Sequence, residues 1–156
     1  MKKTFKVIGI VLIVLTVIVG LFIYNGNKRY QKSKIAQENA DYIIDNLDNE
    51  NIIKEFPETN FPDRQQLKGI IGGIKENCNW QNRDGKFVDF LTMKDVGGIN
   101  SIAYIYEYYL TCDSLRFILI YNLDKDKPEL FKLNIEPLET ENPMIIFPEK
   151  QLKNRK

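Results

Sequence analysis

The first hydrophobic feature of the chain is an uninterrupted apolar run from Val7 to Tyr24, VIGIVLIVLTVIVGLFIY, which carries no charge. A helix of this length is roughly 27 Å long, close to the roughly 30 Å hydrocarbon core of a bilayer. The run is longer than the apolar centre of a signal peptide, and residues 21–27 show no small-residue cleavage pattern. The pattern therefore predicts an uncleaved signal anchor in which residues 7–24 form a transmembrane helix.

Basic residues flank this run on both sides, so the positive-inside rule does not decide the orientation. They are Lys2, Lys3 and Lys6 before it and Lys28, Arg29, Lys32 and Lys34 after it. A short basic head in the cytoplasm followed by a long exported part is the usual arrangement of a single N-terminal anchor. We therefore expect a single-pass protein of the cell membrane whose C-terminal domain is extracytoplasmic.

After the anchor, apolar residues at steps of three and four predict two helices. The first is expected from about Lys28 to Leu47, behind a short helix breaker at Asn25-Gly26-Asn27. A helical turn is expected at Ile52 to Phe56. The second helix is expected from Pro62 to Cys78, with Pro62-Asp63 as its start signal. The apolar positions that define the two helices are Ala36, Ala40, Ile43, Ile44, Leu47, Leu67, Ile70, Ile71, Ile74 and Cys78.

Three glycines interrupt the second predicted helix, at Gly69, Gly72 and Gly73. Each costs about 1 kcal/mol relative to alanine in a helix interior. The sequence GIIGGI lacks the preceding strand, the G-x-G-x-x-G spacing and the Lys-Ser/Thr ending of phosphate-binding loops. We therefore expect the glycines to allow a close approach of this helix to a sheet.

From Gly85 onward the hydrophobic period changes to two, which predicts β-strands. Four strands are expected, at about Phe87–Met93, Ile99–Thr111, Leu115–Leu123 and Leu130–Ile135. Their short connections predict an antiparallel meander. The first strand is apolar on both faces, which indicates a covered second face or a partner. In the fourth strand Phe131, Leu133 and Ile135 are expected to point inward.

Two helices followed by an antiparallel meander form an element order that resembles the cystatin-like and nuclear transport factor-like cone folds. The resemblance concerns architecture, over helices Lys28–Leu47 and Pro62–Cys78 and the four strands. It implies an α+β domain with two helices packed on a curved sheet, as in small membrane-anchored bacterial proteins. The segment Pro143–Pro148 (PMIIFP) is expected to be a short edge strand or a strap across the helices, because its prolines exclude it from a sheet centre.

Charge is segregated along the chain. Residues 1–35 hold seven Lys/Arg and no acid, residues 36–149 hold eleven Lys/Arg against twenty-one Asp/Glu, and residues 150–156 hold four basic residues. We therefore divide the chain into an anchor (1–24), a basic juxtamembrane stalk (25–35), an acidic domain (36–149) and a basic tail (150–156). An acidic body repels phosphate backbones, so nucleic-acid binding is not expected. Membrane lipid is the expected partner of residues 7–24 and of the basic flanks, although solvation explains the tail equally well.

The chain contains no histidine and two cysteines, Cys78 and Cys112. This composition excludes nucleophiles activated by histidine and a structural zinc site of cysteines and histidines. We expect no metal and no cofactor. In an exported domain the two cysteines are compatible with a disulfide worth roughly 3 to 4 kcal/mol, and equally with free buried thiols.

The remaining acid–base candidate is a carboxylate in an apolar setting. Asp89 lies between apolar residues of the first strand, and a buried carboxylate with a raised pKa can act as an acid or a base. A bulge or edge that turns Asp89 to water explains it as simply. Tyr104, Tyr106 and Tyr108 on the second strand are candidates for a ligand or partner face, although core packing is the commoner role of strand tyrosines.

Three functions are compatible with these features. The leading hypothesis is a membrane-tethered extracytoplasmic binding or accessory module, with a protein partner in a bacterial envelope complex. The second is a small cone-fold enzyme that uses Asp89 and a tyrosine, and the third is a structural assembly component joined through its sheet. A deep cavity that holds Asp89 would favour the enzyme, whereas a filled core would favour the binding module.

Overall fold

The computed structural model describes the backbone of residues 2–94 and 98–138, and within these ranges the side chains from residue 9 onward. Helices followed by a four-stranded antiparallel sheet confirm the expected α+β class. The segment Pro143–Pro148 and the basic tail lie outside the described residues. The elements are helix α1 (Lys2–Asp45), a 3₁₀ helix (Glu50–Glu55), helix α2 (Arg64–Cys78), a 3₁₀ turn (Trp80–Asn82), and strands β1 (Asp84–Lys94), β2 (Asn100–Tyr109), β3 (Ser114–Asn122) and β4 (Glu129–Pro137).

Helix α1 is continuous over 44 residues and joins the predicted anchor to the domain. The expected break at Asn25-Gly26-Asn27 is wrong, since these residues lie inside the helix. Their propensity cost is about 2 kcal/mol in total relative to alanine, which the long apolar segment before them and the packed segment after them outweigh. The large apolar side chains from Ile10 to Tyr24 are exposed. The helix is long and apolar enough to span a membrane.

Helix α2 has defined signals at both ends. It begins after Asp63, whose Oδ1 accepts a hydrogen bond from the Gln66 backbone N–H at 2.8 Å. Asp63 therefore satisfies one of the unpaired N–H groups of the first turn. The helix ends at Asn79, which has a left-handed backbone conformation with φ of 47°. Asparagine tolerates this conformation better than other residues with a side chain.

The glycines of α2 do not approach the sheet, so that expectation is wrong. A Cβ added at Gly69 or Gly72 would meet no atom within 4 Å, and one at Gly73 would meet only the Asn77 side chain, at 4.0 Å. Close packing therefore does not explain the three glycines. The buried positions of α2 are Leu67, Ile71, Ile74 and Cys78.

The sheet has the strand order β1-β2-β3-β4, and each neighbouring pair is antiparallel. This order confirms the expected meander. Register shifts occur between Phe87 and Asp89 in β1 and just before Tyr121 in β3. The second shift pairs Tyr121 with Leu130, so that Leu130 is buried whereas Phe131 is only half-buried. The expected inward position of Phe131 is therefore corrected, because a β-bulge displaces it from the apolar alternation.

The core lies between the helices and one face of the sheet. Trp80 packs edge-on against Tyr108 and Phe117, with ring centroids 5.1 and 5.4 Å apart. Edge-on contacts of this kind are favourable beyond the area they bury. Aromatic rings thus fill much of the space between the sheet and the helices. The largest fully buried side chains are Trp80, Tyr104, Tyr121, Phe56, Phe61 and Phe117.

Candidate functional site

Three tyrosines of the sheet bind α1 through their hydroxyl groups. Each ring is buried in the core, and each hydroxyl reaches a polar group on α1, so the polar end of the side chain keeps a partner. Because the three acceptors lie on one helix, the bonds fix α1 in position along the sheet. The bonds run from Tyr104 to the Ser33 carbonyl, from Tyr106 to Asp41 Oδ1 at 2.7 Å, and from Tyr121 to Asn39 Oδ1 at 2.9 Å.

Burial raises the pKa of these three tyrosines above the ordinary value of 10.0. Burial first and the Asp41 carboxylate second raise the pKa of Tyr104 to about 12. Burial raises the pKa of Tyr106 further, and the hydrogen bond to Asp41 acts in the same direction. Burial likewise raises the pKa of Tyr121. All three hydroxyls therefore remain neutral hydrogen-bond donors at neutral pH, which suits a structural role.

Lys32 connects α1 to the turn between β3 and β4. Its Nζ donates to the Leu123 carbonyl at 2.8 Å and also to the Lys125 carbonyl. Further along α1, Asp45 forms an ion pair with Arg83, just before β1, at 3.1 Å. The β3–β4 turn therefore lies at the end of the sheet closest to the apolar half of α1. We call this the near end of the sheet, and the end at which β1 begins the far end.

A second set of polar contacts orders the near end. The Asn100 backbone N–H and Nδ2 donate to the Asp124 carboxylate at 3.0 and 2.7 Å. The side-chain bond first and the backbone bond second lower the pKa of Asp124. Lys125 pairs with Glu129 at 3.0 Å, and this contact is the main cause that lowers the pKa of Glu129. The charged β3–β4 turn is thus held in place by polar contacts to the start of β2 and to the start of β4.

The far end carries a disulfide between Cys78, the last residue of α2, and Cys112 in the turn between β2 and β3. The Cα atoms are 4.6 Å apart and the two residues are 34 positions apart in sequence. The sequence left this bond and free thiols equally open. A loop of this size corresponds to roughly 3 to 4 kcal/mol of stabilisation on the chain-entropy account.

Among the residues that the structure describes, strand β1 is an edge strand with exposed apolar side chains. The exposed fractions are 45% for Val88, 53% for Phe90, 50% for Leu91 and 37% for Met93. Phe90 lies opposite Tyr104 and is therefore on the helix side of the sheet. Leu91 and Met93 lie on the other side. Both faces of β1 thus present large apolar side chains, as expected from the sequence.

The pairing pattern identifies the backbone groups that face the free edge of β1. The Leu123 N–H donates to the Asn100 carbonyl at 2.8 Å. Even-numbered residues of β2 therefore bond to β3 and odd-numbered residues bond to β1. Leu91 lies opposite an odd-numbered residue, so its backbone groups point toward β2. Phe90 and Thr92 consequently direct their N–H and C=O groups to the free edge.

Asp89 lies at the register shift of β1 and is exposed. Its Oδ1 accepts a hydrogen bond from the Phe90 N–H at 2.7 Å. The carboxylate therefore caps one N–H group of the free edge. This is the edge-and-bulge environment that the sequence offered as the alternative to a buried acid, and Asp89 does not supply the enclosed carboxylate that the enzyme hypothesis requires.

The opposite edge of the sheet is covered where β4 begins. Asn60 Nδ2 donates to the Leu130 carbonyl at 3.1 Å and to Glu129 Oε1 at 2.9 Å. The Thr59 hydroxyl donates to the same carboxylate at 3.2 Å. The strand ends at Pro137, which has no N–H to offer a neighbour. The loop before α2 and a terminal proline therefore protect this edge.

The tyrosines predicted as a ligand or partner face are core residues. Tyr104, Tyr106 and Tyr108 are 2%, 2% and 7% exposed. Asp89 pairs with Ile105 and so lies on the opposite side of the sheet from the three tyrosines. The structure does not bring the predicted acid and the predicted tyrosines together. The exposed apolar surface is on β1, which the two-sided pattern of its sequence had indicated.

A cleft of about 240 Å³ lies between the 3₁₀ helix Glu50–Glu55 and α2. Acidic and basic side chains line it together, so it offers no single charge to a ligand. Among the described residues, no cluster of three or more cysteine, aspartate or glutamate side chains is arranged to hold a metal ion. The lining residues are Asp48, Glu50, Ile53, Lys68, Ile71, Gly72, Lys75 and Glu76.

The chain matches no protein-family model, no curated protein and no solved structure.

Proposed function

We propose that the protein is a membrane-tethered module that binds a protein partner outside the cytoplasm, as an accessory component of a bacterial envelope complex. The observation that carries the proposal is the continuity of α1. The helix that contains the apolar segment also supplies Ala36, Ala40 and Ile43 to the core of the domain. A partner bound to this domain is therefore held at a defined height above the membrane.

The height follows from the helix rise. Lys32 lies eight residues after Tyr24, which corresponds to about 12 Å along the axis. Lipid head groups extend about 5 to 8 Å beyond the hydrocarbon core. The near end of the sheet, which Lys32 contacts, would then lie just above the head groups. Lys28 and Arg29 would lie at their level, where basic side chains bind anionic lipid.

The disulfide supports the proposed side of the membrane. Disulfides persist in oxidising compartments and are reduced in the cytoplasm of most cells. A bond between Cys78 and Cys112 that ties α2 to the β2–β3 turn is therefore best maintained outside the cytoplasm.

The positions of the candidate residues favour binding over catalysis. The cone-fold enzyme alternative needs an acid next to a tyrosine inside a cavity, whereas Asp89 is exposed and the tyrosines are packed in the core. The proposal retains the resemblance to cone folds. Helices packed on one face of an antiparallel sheet are compatible with such a fold. An assembly role through the sheet is favoured by one specific observation, the exposed apolar edge at β1.

Topology is the first test. Protease added to intact spheroplasts that contain the full-length protein is expected to digest the domain and leave the membrane segment. The same spheroplasts lysed with detergent give the control. A membrane-impermeant thiol reagent is expected to label Cys78 and Cys112 only after reduction. A domain that resists protease until lysis, or cysteines that the reagent labels only after lysis, would contradict the proposed location.

The second test separates binding from catalysis. In cells that lack the wild-type gene, the Asp89→Asn protein is expected to retain the cellular role, because the variant keeps the fold and the exposed edge. The Tyr106→Ala and Tyr108→Ala double variant, which opens the core, is the matched control and is expected to lose it. Complete loss of the role in a folded, membrane-located Asp89→Asn protein would favour the enzyme.

A further inference from the structure

We propose that the free edge of β1 is the docking site for an extended, mostly apolar segment of a partner protein, which adds to the sheet as a fifth strand. The proposal rests on the binding function proposed above and identifies the surface and the partner chemistry. It predicts an interaction made through backbone hydrogen bonds, with apolar side chains on both faces.

The backbone geometry requires a strand. Phe90 and Thr92 direct their N–H and C=O groups away from β2, and Lys94 follows in the same alternation. A row of alternating donors and acceptors spaced at two-residue intervals is matched by another extended chain. Lipid and globular surfaces lack this spacing. Strand addition to an exposed edge is an established mode of peptide recognition.

The side chains specify what that strand carries. Phe90 projects on the helix side of the sheet, and Leu91 and Met93 project on the other side. A neighbouring strand must therefore be apolar at consecutive positions, because its alternate side chains meet both faces. Lys86 and Lys94 are exposed at the two ends of this stretch, roughly 25 Å apart. Acidic residues that flank the apolar centre of the partner would complement them.

The C-terminal segment of the chain itself is a poor candidate for this position. Leu138 donates to the Ser114 carbonyl at 2.8 Å and thus still lies at the β3–β4 side of the far end. A strand beside β1 is four strand spacings from β4, about 19 Å. Met144, the first apolar residue of Pro143–Pro148, is six residue steps after Leu138, and six steps reach at most about 20 to 22 Å. The link would have to run straight and fully extended across the whole far end.

A second copy that pairs antiparallel in the same membrane is also a poor candidate. Antiparallel pairing of two β1 strands relates the copies by a two-fold axis perpendicular to the sheet. That rotation reverses the near and far ends, so the second anchor would point away from the membrane that holds the first. The register that pairs Asp84 with Lys94 also sets Asp89 against Asp89 of the other copy.

Asp89 protects the β1 edge from uncontrolled pairing with other strands. Its carboxylate accepts the Phe90 N–H at 2.7 Å, so this edge donor is satisfied without a partner. Charged side chains and bulges are common devices that keep edge strands from uncontrolled pairing. An incoming strand must replace the carboxylate with one of its own carbonyl oxygens. Asp89 is thereby a determinant of how readily the edge accepts a strand.

The test uses a defined peptide and the full-length protein in lipid nanodiscs. The probe is a fluorescent nine-residue peptide with glutamate at each end, alternating valine and isoleucine between them, and N-methyl groups on every second residue, so that one edge alone can pair. Saturable binding is expected by fluorescence anisotropy. A peptide methylated on all its nitrogens is the control and is expected not to bind. No saturable binding of the probe, or equal binding of the fully methylated peptide, would overturn the proposal.

Two variants at one position test the backbone contact. Thr92→Pro removes a free-edge N–H and leaves the bonds to β2 in place, and binding is expected to weaken about tenfold or more. Thr92→Val keeps the N–H and should bind as the wild type does. Equal binding by both variants would overturn the proposal. Should Thr92→Pro unfold, Asp89→Ala provides the reverse test, because it frees the Phe90 N–H and is expected to tighten binding; unchanged binding would contradict the proposed role of the edge.

The occupant is tested separately from the site. If the wild type dimerises and Thr92→Pro abolishes the dimer, the occupant of the edge is a second copy of this chain and not a partner protein. Much tighter probe binding by a chain that ends at Leu138 would show that its own C-terminal segment occupies the edge. Neither result depends on the side of the membrane, so failure of the proposed location and failure of the strand site are distinguishable.

Discussion

The two edges of the sheet are built in opposite ways. At β4, Asn60 binds the Leu130 carbonyl and Pro137 ends the strand. At β1, Phe90 and Leu91 are about half exposed on opposite faces, and one edge N–H is bonded by the adjacent Asp89. Natural sheets usually protect both edges. The chain itself covers the edge at the start of β4, whereas the exposed edge of β1 is the surface that we propose for docking of a partner strand.

The comparison extends to the energetics of each region. Side chains of β2, β3 and β4 on the helix side contribute to a closed core and to the contacts with α1. The large side chains of β1 after the bulge contribute mainly exposed surface. Substitutions in the first region should therefore change the free energy of unfolding, and substitutions in β1 should change association instead.

The largest effect is expected from the same substitution made in both regions. Leu119 in β3 is fully buried, whereas Leu91 in β1 is 50% exposed. Leu119→Ala is expected to lower the free energy of unfolding by about 2 to 5 kcal/mol, because it removes buried methyl groups and leaves a cavity. Leu91→Ala should change it by less than about 0.5 kcal/mol. Denaturant titration of the full-length protein, followed by fluorescence of the single tryptophan Trp80, measures both. Similar losses of unfolding free energy in the two variants would contradict the distinction between the core strands and β1.

The next effect concerns the covalent tie at the far end. The double variant Cys78→Ser and Cys112→Ser is expected to lose roughly 3 to 4 kcal/mol of stability, because the unfolded chain regains the freedom of the closed loop. Reduction of the wild type should reproduce the loss. The affinity of the β1 edge for the strand probe should not change. A variant as stable as the wild type would show that the bond contributes little to this fold.

A smaller effect is expected from alkaline pH. Burial raises the folded-state pKa of Tyr104, Tyr106 and Tyr121 above 10.0. Above pH 10 the unfolded chain releases these protons while the folded chain keeps them, so stability is complete below pH 10 and falls as pH rises toward 12 and beyond. Tyr106→Phe should make this decline shallower and cost about 1 to 2 kcal/mol at pH 7, because the Asp41 acceptor loses its donor. Equal slopes for the two proteins between pH 10 and 12 would contradict this account.

The smallest effect on stability is expected at the free edge of β1. Asp89→Asn keeps an oxygen that can accept the Phe90 N–H, and the residue is exposed. Its free energy of unfolding should differ from that of the wild type by less than about 0.5 kcal/mol. A loss of several kcal/mol would place Asp89 in the structural part of the sheet and would end the comparison of the two edges.

The order and type of the elements could be read from the sequence because apolar residues repeat with helical and strand periods. The two-sided apolar pattern of β1 also indicated an uncovered or partnered strand. The continuity of α1 could not be predicted, since Asn25 and Gly26 have poor helix propensity and only packing at both sides outweighs it. Phe131 was misplaced because a β-bulge adds a residue that strict alternation does not allow.

The candidate site was less accessible to the sequence than the fold was. Whether the even- or the odd-numbered residues of β2 bond to β1 decides which N–H groups of β1 face the free edge. The sequence alone does not show which set pairs. Lys32 was grouped with the other basic residues of the stalk, because a contact across 91 residues to the Leu123 carbonyl has no local pattern. Three strand tyrosines were offered as a ligand or partner face, with core packing as the alternative, and the structure places them in the core. The bonds to Ser33, Asn39 and Asp41 emerge only from the packing of α1 on the sheet.

Because α1 is continuous, the β1 edge faces a fixed direction around the helix axis relative to the membrane segment. Each helical residue turns the chain by about 100° and advances it by about 1.5 Å. One residue inserted between Gly26 and Gln31 would therefore rotate the whole domain by about 100° around the helix axis while raising it only slightly. Seven inserted residues would return it to within about 20° of the original direction and raise it by about 10 Å. A partner that is itself fixed in the membrane would face another side of the domain in the one-residue insertion. In the seven-residue insertion it would face the edge again, at the greater height.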